Sequence, residues 1–233
     1  MILVAESLHN FLMENIILPL DFKTYINKIK DKRFNNLDSI NNMFKDIDVV
    51  FSDYSFFYDN LGSDEEKKVA PKNDNRKSES GFKFALYNQN IDKINIVVNS
   101  KEFLEYLNDL CNSSQKEKEH FYNFLEQVLR HESIHLQQAK KMGDKYNLLS
   151  SPTDPQKYFS DQKEIMAYAR SLIDDLINNG YTKEEIKDGL RNKKQLDTWI
   201  HMVYKKYVDI KKYRTFLKYA YLYLETDLSD KKI

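Results

Sequence analysis

Apolar residues recur every third or fourth position along most of the chain and alternate with polar ones over a few short stretches. Residues 2–16 carry Leu3, Val4, Leu8, Phe11, Leu12 and Ile16 at helical spacing, an amphipathic helix stopped near Pro19. Asp21 is placed to cap a short helix through Ile29, and Leu37, Ile40 and Met43 mark a weaker third. Asp48 to Tyr58, rich in Val, Phe and Tyr, reads as a strand, with Asp53 and Asp59 as turn or surface acids. Residues 62–81 hold almost nothing apolar and read as a mobile loop. Phe82, Phe84 and Leu86 then alternate with polar or small residues, as do Ile94, Ile96 and Val98 beyond the turn residues Asn88 to Asp92. That is a β-hairpin, whose role is either to cover the core or to receive an extended peptide by strand addition.

Helical spacing then dominates. Ser100 is expected to cap a helix to about Cys111, with Phe103, Leu104, Leu107 and Leu110 inward. A long helix follows from Gln115 to Met142, with Gly143 as its stop. Its apolar face carries Phe121, Phe124, Leu125, Val128, Leu129, Leu136, Ala139 and Met142, and Ser133 falls on the polar face with Arg130 and Gln137. Residues 144–159, with Pro152 and Pro155, read as a rigid loop, and Ser160 as the cap of a helix from Asp161 to Asn179 that ends at Gly180. Thr182-Lys183-Glu184-Glu185 is a capping box opening a short helix to Leu190. Residues 195–225 read as one long helix striped by Leu196, Trp199, Ile200, Val203, Tyr207 and Ile210, with a frayed tail from Thr226. The predicted class is α+β and mainly helical: a single domain over residues 1–233, a small hairpin ahead of the long helix, and a helical C-terminal part over 182–233.

Charge and composition narrow the function. The 36 basic and 36 acidic residues cancel, so no global field draws nucleic acid or an anionic membrane. Tyrosines interleaved with Lys205, Lys206, Lys211, Lys212 and Arg214 have the ingredients for stacking on nucleic acid. The neutral total favours instead a helix docking on the core or on a partner protein. Cys111 is alone, which excludes an intramolecular disulfide and reads as a small buried hydrophobe. No apolar run approaches a membrane span, and the N-terminus, with Glu6 and His9 inside its apolar pattern, is not a secretory signal. The expected location is the cytoplasm, or a virion assembled there.

The candidate chemistry lies in the long helix. His131 and His135 stand four residues apart, about 40° around the axis on neighbouring turns, so both imidazoles can close on one metal ion. Glu132 lies about 100° round from His131, where it can take a proton from a water in an open metal position. Glu132 and His135 lie within the apolar face and His131 at its edge, a costly placement unless the groups are paired or bind metal. A catalytic zinc uses three protein ligands. Glu164, near the start of the next long helix and at the edge of its apolar face, is the favoured third. Its alternative role is a first-turn acid that suits the helix dipole. Asp161, one turn earlier, competes as ligand or as the acceptor that holds a ligand histidine.

His131-Glu132-Ser133-Ile134-His135 followed by Glu164-Ile165-Met166-Ala167-Tyr168-Ala169 resembles the gluzincin branch of the zincin metallopeptidases, and is similar to small zincin-like proteins encoded by bacteriophages. The likeness covers residues 131–169 of 233. It implies a zincin-like fold, His131, His135 and Glu164 as ligands of Zn2+, Glu132 as general base, and a peptide or protein substrate. Tyr168 stands where some gluzincins carry an Asp, and no third His follows at the metzincin spacing. An oxyanion stabiliser is also needed, for which His201, Tyr158, Tyr168 and Tyr204 are candidates. His9 and His120 are not expected to be ligands. The competing expectation is a zincin-like binding or structural protein, such as a phage particle component. The intact Glu132 favours the enzyme, because a structural zinc does not need it.

Overall fold

The computed structural model describes residues 17, 19–60, 80–143, 146, 155–192 and 198–226. The helix expected over 2–16, the loop over 62–81 apart from Ser80 and Gly81, and the tail beyond Thr226 lie outside the described residues. The fold is mainly helical with one small sheet, and the chain gathers into two compact units, residues 20–140, and residues 141–233 together with 1–19.

In the 20–140 unit the order is α1 (Lys23–Ile29), α2 (Leu37–Asn41), β1 (Val49–Asp53), α3 (Tyr54–Asp59), β2 (Phe82–Asn88), β3 (Lys93–Val98), α4 (Ser100–Leu110) and α5 (Gln115–Met142), whose last two residues pass the boundary. The hairpin β2–β3 forms as its alternation predicts, but β3 also pairs with β1 in parallel, giving the order β1-β3-β2. A central strand is covered on both faces, so Asn95 and Val97 are buried along with Ile94, Ile96 and Val98. The Ser52 hydroxyl donates to Asn95 Oδ1 at 2.8 Å and satisfies that buried oxygen.

The strand expected to Tyr58 ends at Asp53, and the rest is α3. Tyr54, Phe57 and Tyr58 recur at helical spacing, and the rings of Tyr54 and Phe57 meet Phe84 edge-on with centroids 6.2 and 5.0 Å away. That packing outweighs the β preference of the aromatics. The outer edge of β1 is closed by Asn41, whose amide accepts from Phe51 N–H and donates to Phe51 O, leaving that pair unavailable to another strand. Asp53 accepts from Ser100 N–H, which ties β1 to α4. Asn99 caps α4 in place of Ser100, accepting from Glu102 N–H. Cys111 is half-buried at the C-cap of α4 rather than fully buried. Gly81 sits at φ +67°, and a Cβ there would lie 2.3 Å from Phe103 N, so this hairpin entry requires glycine.

The inner face of α5 is Phe121, Leu125, Leu129, Leu136 and Ala139, as its periodicity predicts. Phe124 and Met142 depart from it at 38% and 42% exposure, and Val128 is only half-buried. Ser133, read as polar-face, is fully buried. Its hydroxyl accepts from Leu20 N–H and donates to Arg130 O, so the segment that enters the unit covers that side of the helix.

The second unit contains α6 (Pro155–Ser160), α7 (Gln162–Asn178), α8 (Lys183–Asn192), α9 (Trp199–Tyr207) and α10 (Ile210–Thr226). α6 occupies the end of the expected rigid loop. It opens on Pro155, whose ring presets the helical φ and whose missing N–H costs nothing at that position. α7 packs mainly on α10 through a face of Ile165, Ala169, Leu172, Ile173 and Leu176. It ends at Gly180 (φ +85°), with Tyr181 N–H bonded to Leu176 O as in a Schellman turn. The Thr182–Glu185 capping box forms in full.

The single helix expected over 195–225 is two. Val208 is extended, and the Asp209 carboxylate accepts from Lys211 and Lys212 N–H and restarts the chain as α10. The stripe is broken accordingly. Ile200 is buried, Val203 and Tyr207 are half-buried, and Ile210 is 54% exposed. Tyr204, Tyr213, Tyr219 and Tyr223, read as interleaved with basic residues, are buried in the core of this unit. Among the described residues no helix is long and apolar enough to cross a membrane.

Candidate metal centre

The long apolar face of α5 places His131 and His135 one turn apart, with ring centroids 5.1 Å from each other and planes at 70°. His131 is half-buried, and His135 is 3% exposed. The buried ring is held by Gln138, three residues on along the same face, with 3.2 Å between His135 Nδ1 and Gln138 Oε1. An amide oxygen only accepts, so this contact suits the tautomer with the proton on Nδ1. Gln138 was missed in the sequence. The signal was there: a long polar residue at i+3 from a motif histidine, flanked by Leu136 and Ala139.

Glu132 is half-buried, and its Oε2 accepts from Tyr87 N–H of β2 at 2.9 Å. The hairpin is therefore the element that orients the candidate base, through its main chain. Tyr87 itself is fixed by its hydroxyl, which donates to Asp92 Oδ1. Burial, with Asp92 beside it, raises that phenol well above its ordinary value, so it stays protonated. His120, on the same helix, is exposed.

In the second unit Glu164 lies in the first turn of α7 and is 5% exposed. The helix N-terminus favours its charge. Asp161 is the N-cap of α7, replacing Ser160 in that role, and its carboxylate accepts from Lys163 N–H at 2.8 Å with Lys163 Nζ 3.7 Å away. Capping is thus the role the structure gives Asp161. Tyr168 is half-buried against the rings of Tyr158, Phe159 and Tyr204. His201 is buried, with Nε2 hydrogen-bonded to the Tyr213 hydroxyl. Tyr204 is fully buried and stacked on Phe216.

Among the described residues, the group of His, Cys, Asp and Glu side chains that could hold a metal ion is His131, His135 and Glu164. Two imidazole nitrogens and one carboxylate oxygen are a donor set that suits zinc, and three ligands leave a position open. The sequence matches no family model, no curated protein and no solved structure.

Proposed function

We propose that the protein is a zinc-dependent peptidase of the gluzincin type, with His131, His135 and Glu164 as metal ligands and Glu132 as general base. The observation that carries this reading is that each of the three residues offers one ligand atom and that these atoms lie within 4.8 Å of one another. Zinc held there supplies Lewis acidity, which polarises a peptide carbonyl and acidifies a water. Glu132 takes the proton of that water as it attacks the carbonyl carbon. It then delivers the proton to the amine nitrogen as the C–N bond breaks. The bond from Tyr87 N–H holds one carboxylate oxygen of Glu132 in place. The proposed substrate is a peptide or unfolded protein, and the proposed location is the cytoplasm or a virion.

One observation favours a second reading, a non-catalytic zincin-like binding or structural protein such as a particle component. The same Tyr87–Glu132 bond is what a structural strut between hairpin and helix would need. Metal analysis of the purified chain, with cleavage of a denatured protein by wild type and Glu132→Gln, separates the two. The peptidase reading expects about one zinc per chain in both and cleavage lower by about 10²–10⁴-fold in the variant, the range for a lost acid–base group. Zinc bound by a wild type that cuts nothing selects the second reading.

A further inference from the structure

The 36 basic and 36 acidic residues cancel over the chain but not along the second unit. Between Trp199 and Lys218, across α9 and α10, stand six Lys and Arg against one acid, Asp209. Lys205, Lys206, Lys211, Arg214 and Lys218 are exposed, and among the described residues none of the five is ion-paired with an acid. On α10 they are confined to one side. At about 100° per residue, Ile210, Lys211, Arg214 and Lys218 fall within about 100° of the helix circumference. The next acid on that arc, Glu225, is neutralised by Lys187 at 2.6 Å and Lys183 at 3.5 Å. Like charges three and four residues apart repel, a cost that an anionic partner removes.

The apolar residues of the same stretch decide which anion. Met202 on α9 and Ile210 at the head of α10 are the most exposed large apolar side chains among the described residues, at 59% and 54%. Met202, Lys205 and Lys206 share the outward side of α9, within about 100° of one another. Cations around protruding apolar tips suit an anionic bilayer, with the tips in the acyl boundary and the cations among the headgroups. A nucleic acid needs ring faces for its bases. Here Tyr204, Tyr213 and Tyr219 are buried, and the half-buried ring of Tyr207 lies against Phe159 at 6.0 Å with Lys206 Nζ 4.9 Å from its centre.

We propose that the outward faces of α9 and α10 form a peripheral docking surface for an anionic lipid bilayer, attracted by Lys205, Lys206, Lys211, Arg214 and Lys218 and anchored by Met202 and Ile210. No described helix is long and apolar enough to cross a membrane, which makes the contact one of surface and not of span. Charges in solution act over only about 8 Å at physiological salt, so a chain with no net charge can still present such a patch. No metal takes part, and this surface stands or falls apart from the peptidase reading.

The test is sedimentation of the full chain with vesicles of phosphatidylcholine alone and of equal parts phosphatidylcholine and phosphatidylserine, at low and high salt. The expected result is binding to the anionic vesicles only, lost at high salt. Lys211→Gln with Arg214→Gln and Lys218→Gln should weaken it by about a hundredfold, at about fivefold per cation. Met202→Ser with Ile210→Ser, which leaves the charge unchanged, should weaken it by about tenfold. Equal unfolding temperatures are the check that both variants fold as wild type does. A wild type that ignores the anionic vesicles, or binds both kinds equally, overturns the proposal. So does full binding by either folded variant. Duplex DNA held more tightly than the anionic vesicles assigns the face to a nucleic acid and also overturns it.

Discussion

Two buried polar side chains, one in each unit, are answered by a near neighbour on the same helix. His135 is answered by Gln138 at i+3, and Arg170 by Asp174 at i+4, with Nη2 2.6 Å from Oδ1 and Nε 3.1 Å from Oδ2. Arg170 is among the largest side chains fully enclosed in the molecule, its guanidinium also lying over the ring of Tyr223 at 5.9 Å. A buried pair is expensive to break on one side and cheap to replace on both. Arg170→Met alone is expected to lower unfolding free energy by about 3–5 kcal/mol. Arg170→Met with Asp174→Leu should cost much less than the single change, as read by urea unfolding. A double variant as unstable as the single would show that the pair is not what holds this part of α7 and α10.

Element boundaries depend on who supplies the hydrogen bonds at helix ends. α8 opens on a capping box in which Thr182 N–H and hydroxyl both donate to Glu185, and Ser114 does the same for Glu117 at the start of α5. Backbone and then hydroxyl donation hold Glu185 below its ordinary carboxylate value, and for Glu117 the hydroxyl is the larger cause. A carboxyl with a depressed folded value stabilises fully above the unfolded value and loses that contribution as pH falls through the folded one. Between neutral pH and about pH 3, amide exchange in the first turns of α5 and α8 is expected to accelerate beyond its intrinsic pH dependence. Glu185→Gln should remove the effect in α8 alone. Protection in α8 that ignores pH in the wild type would rule out this account of the cap.

For the whole molecule, a ligand that binds the folded chain and not the unfolded one stabilises it by mass action. If His131, His135 and Glu164 hold zinc, free zinc at about a hundred times its Kd should add about 2.7 kcal/mol to stability. Calorimetry of chelator-treated and reloaded protein is expected to show a higher unfolding temperature for the reloaded chain. In His135→Ala the difference should vanish. An unchanged wild-type transition with bound zinc would mean that the ion sits on the unfolded chain as well. Each unit has its own apolar core, Phe51, Phe103 and Leu125 being buried in one and Leu172, Phe216 and Leu222 in the other.

Much of this was legible in one dimension, wherever a structure depends on residues close in sequence. The four-residue spacing of His131 and His135 puts both on one face of α5 whatever surrounds it. Gly143 and Gly180 stop their helices at positive φ, and the Thr182–Glu185 box opens α8, because turns and caps are made within a few residues. The hairpin follows from its alternation. What only the tertiary structure decided involves partners far along the chain. β1 ends at Asp53 because Phe84 packs on the residues beyond, β3 is buried on both faces because β1 joins it, and Ser133 is buried because Leu20 reaches it. Tyr204, Tyr213, Tyr219 and Tyr223 became core while Tyr207 and Tyr221 stayed half-buried, because the break at Val208 and Asp209 turned the chain. Local spacing sets which side of a helix a residue occupies. Only packing sets what that side meets.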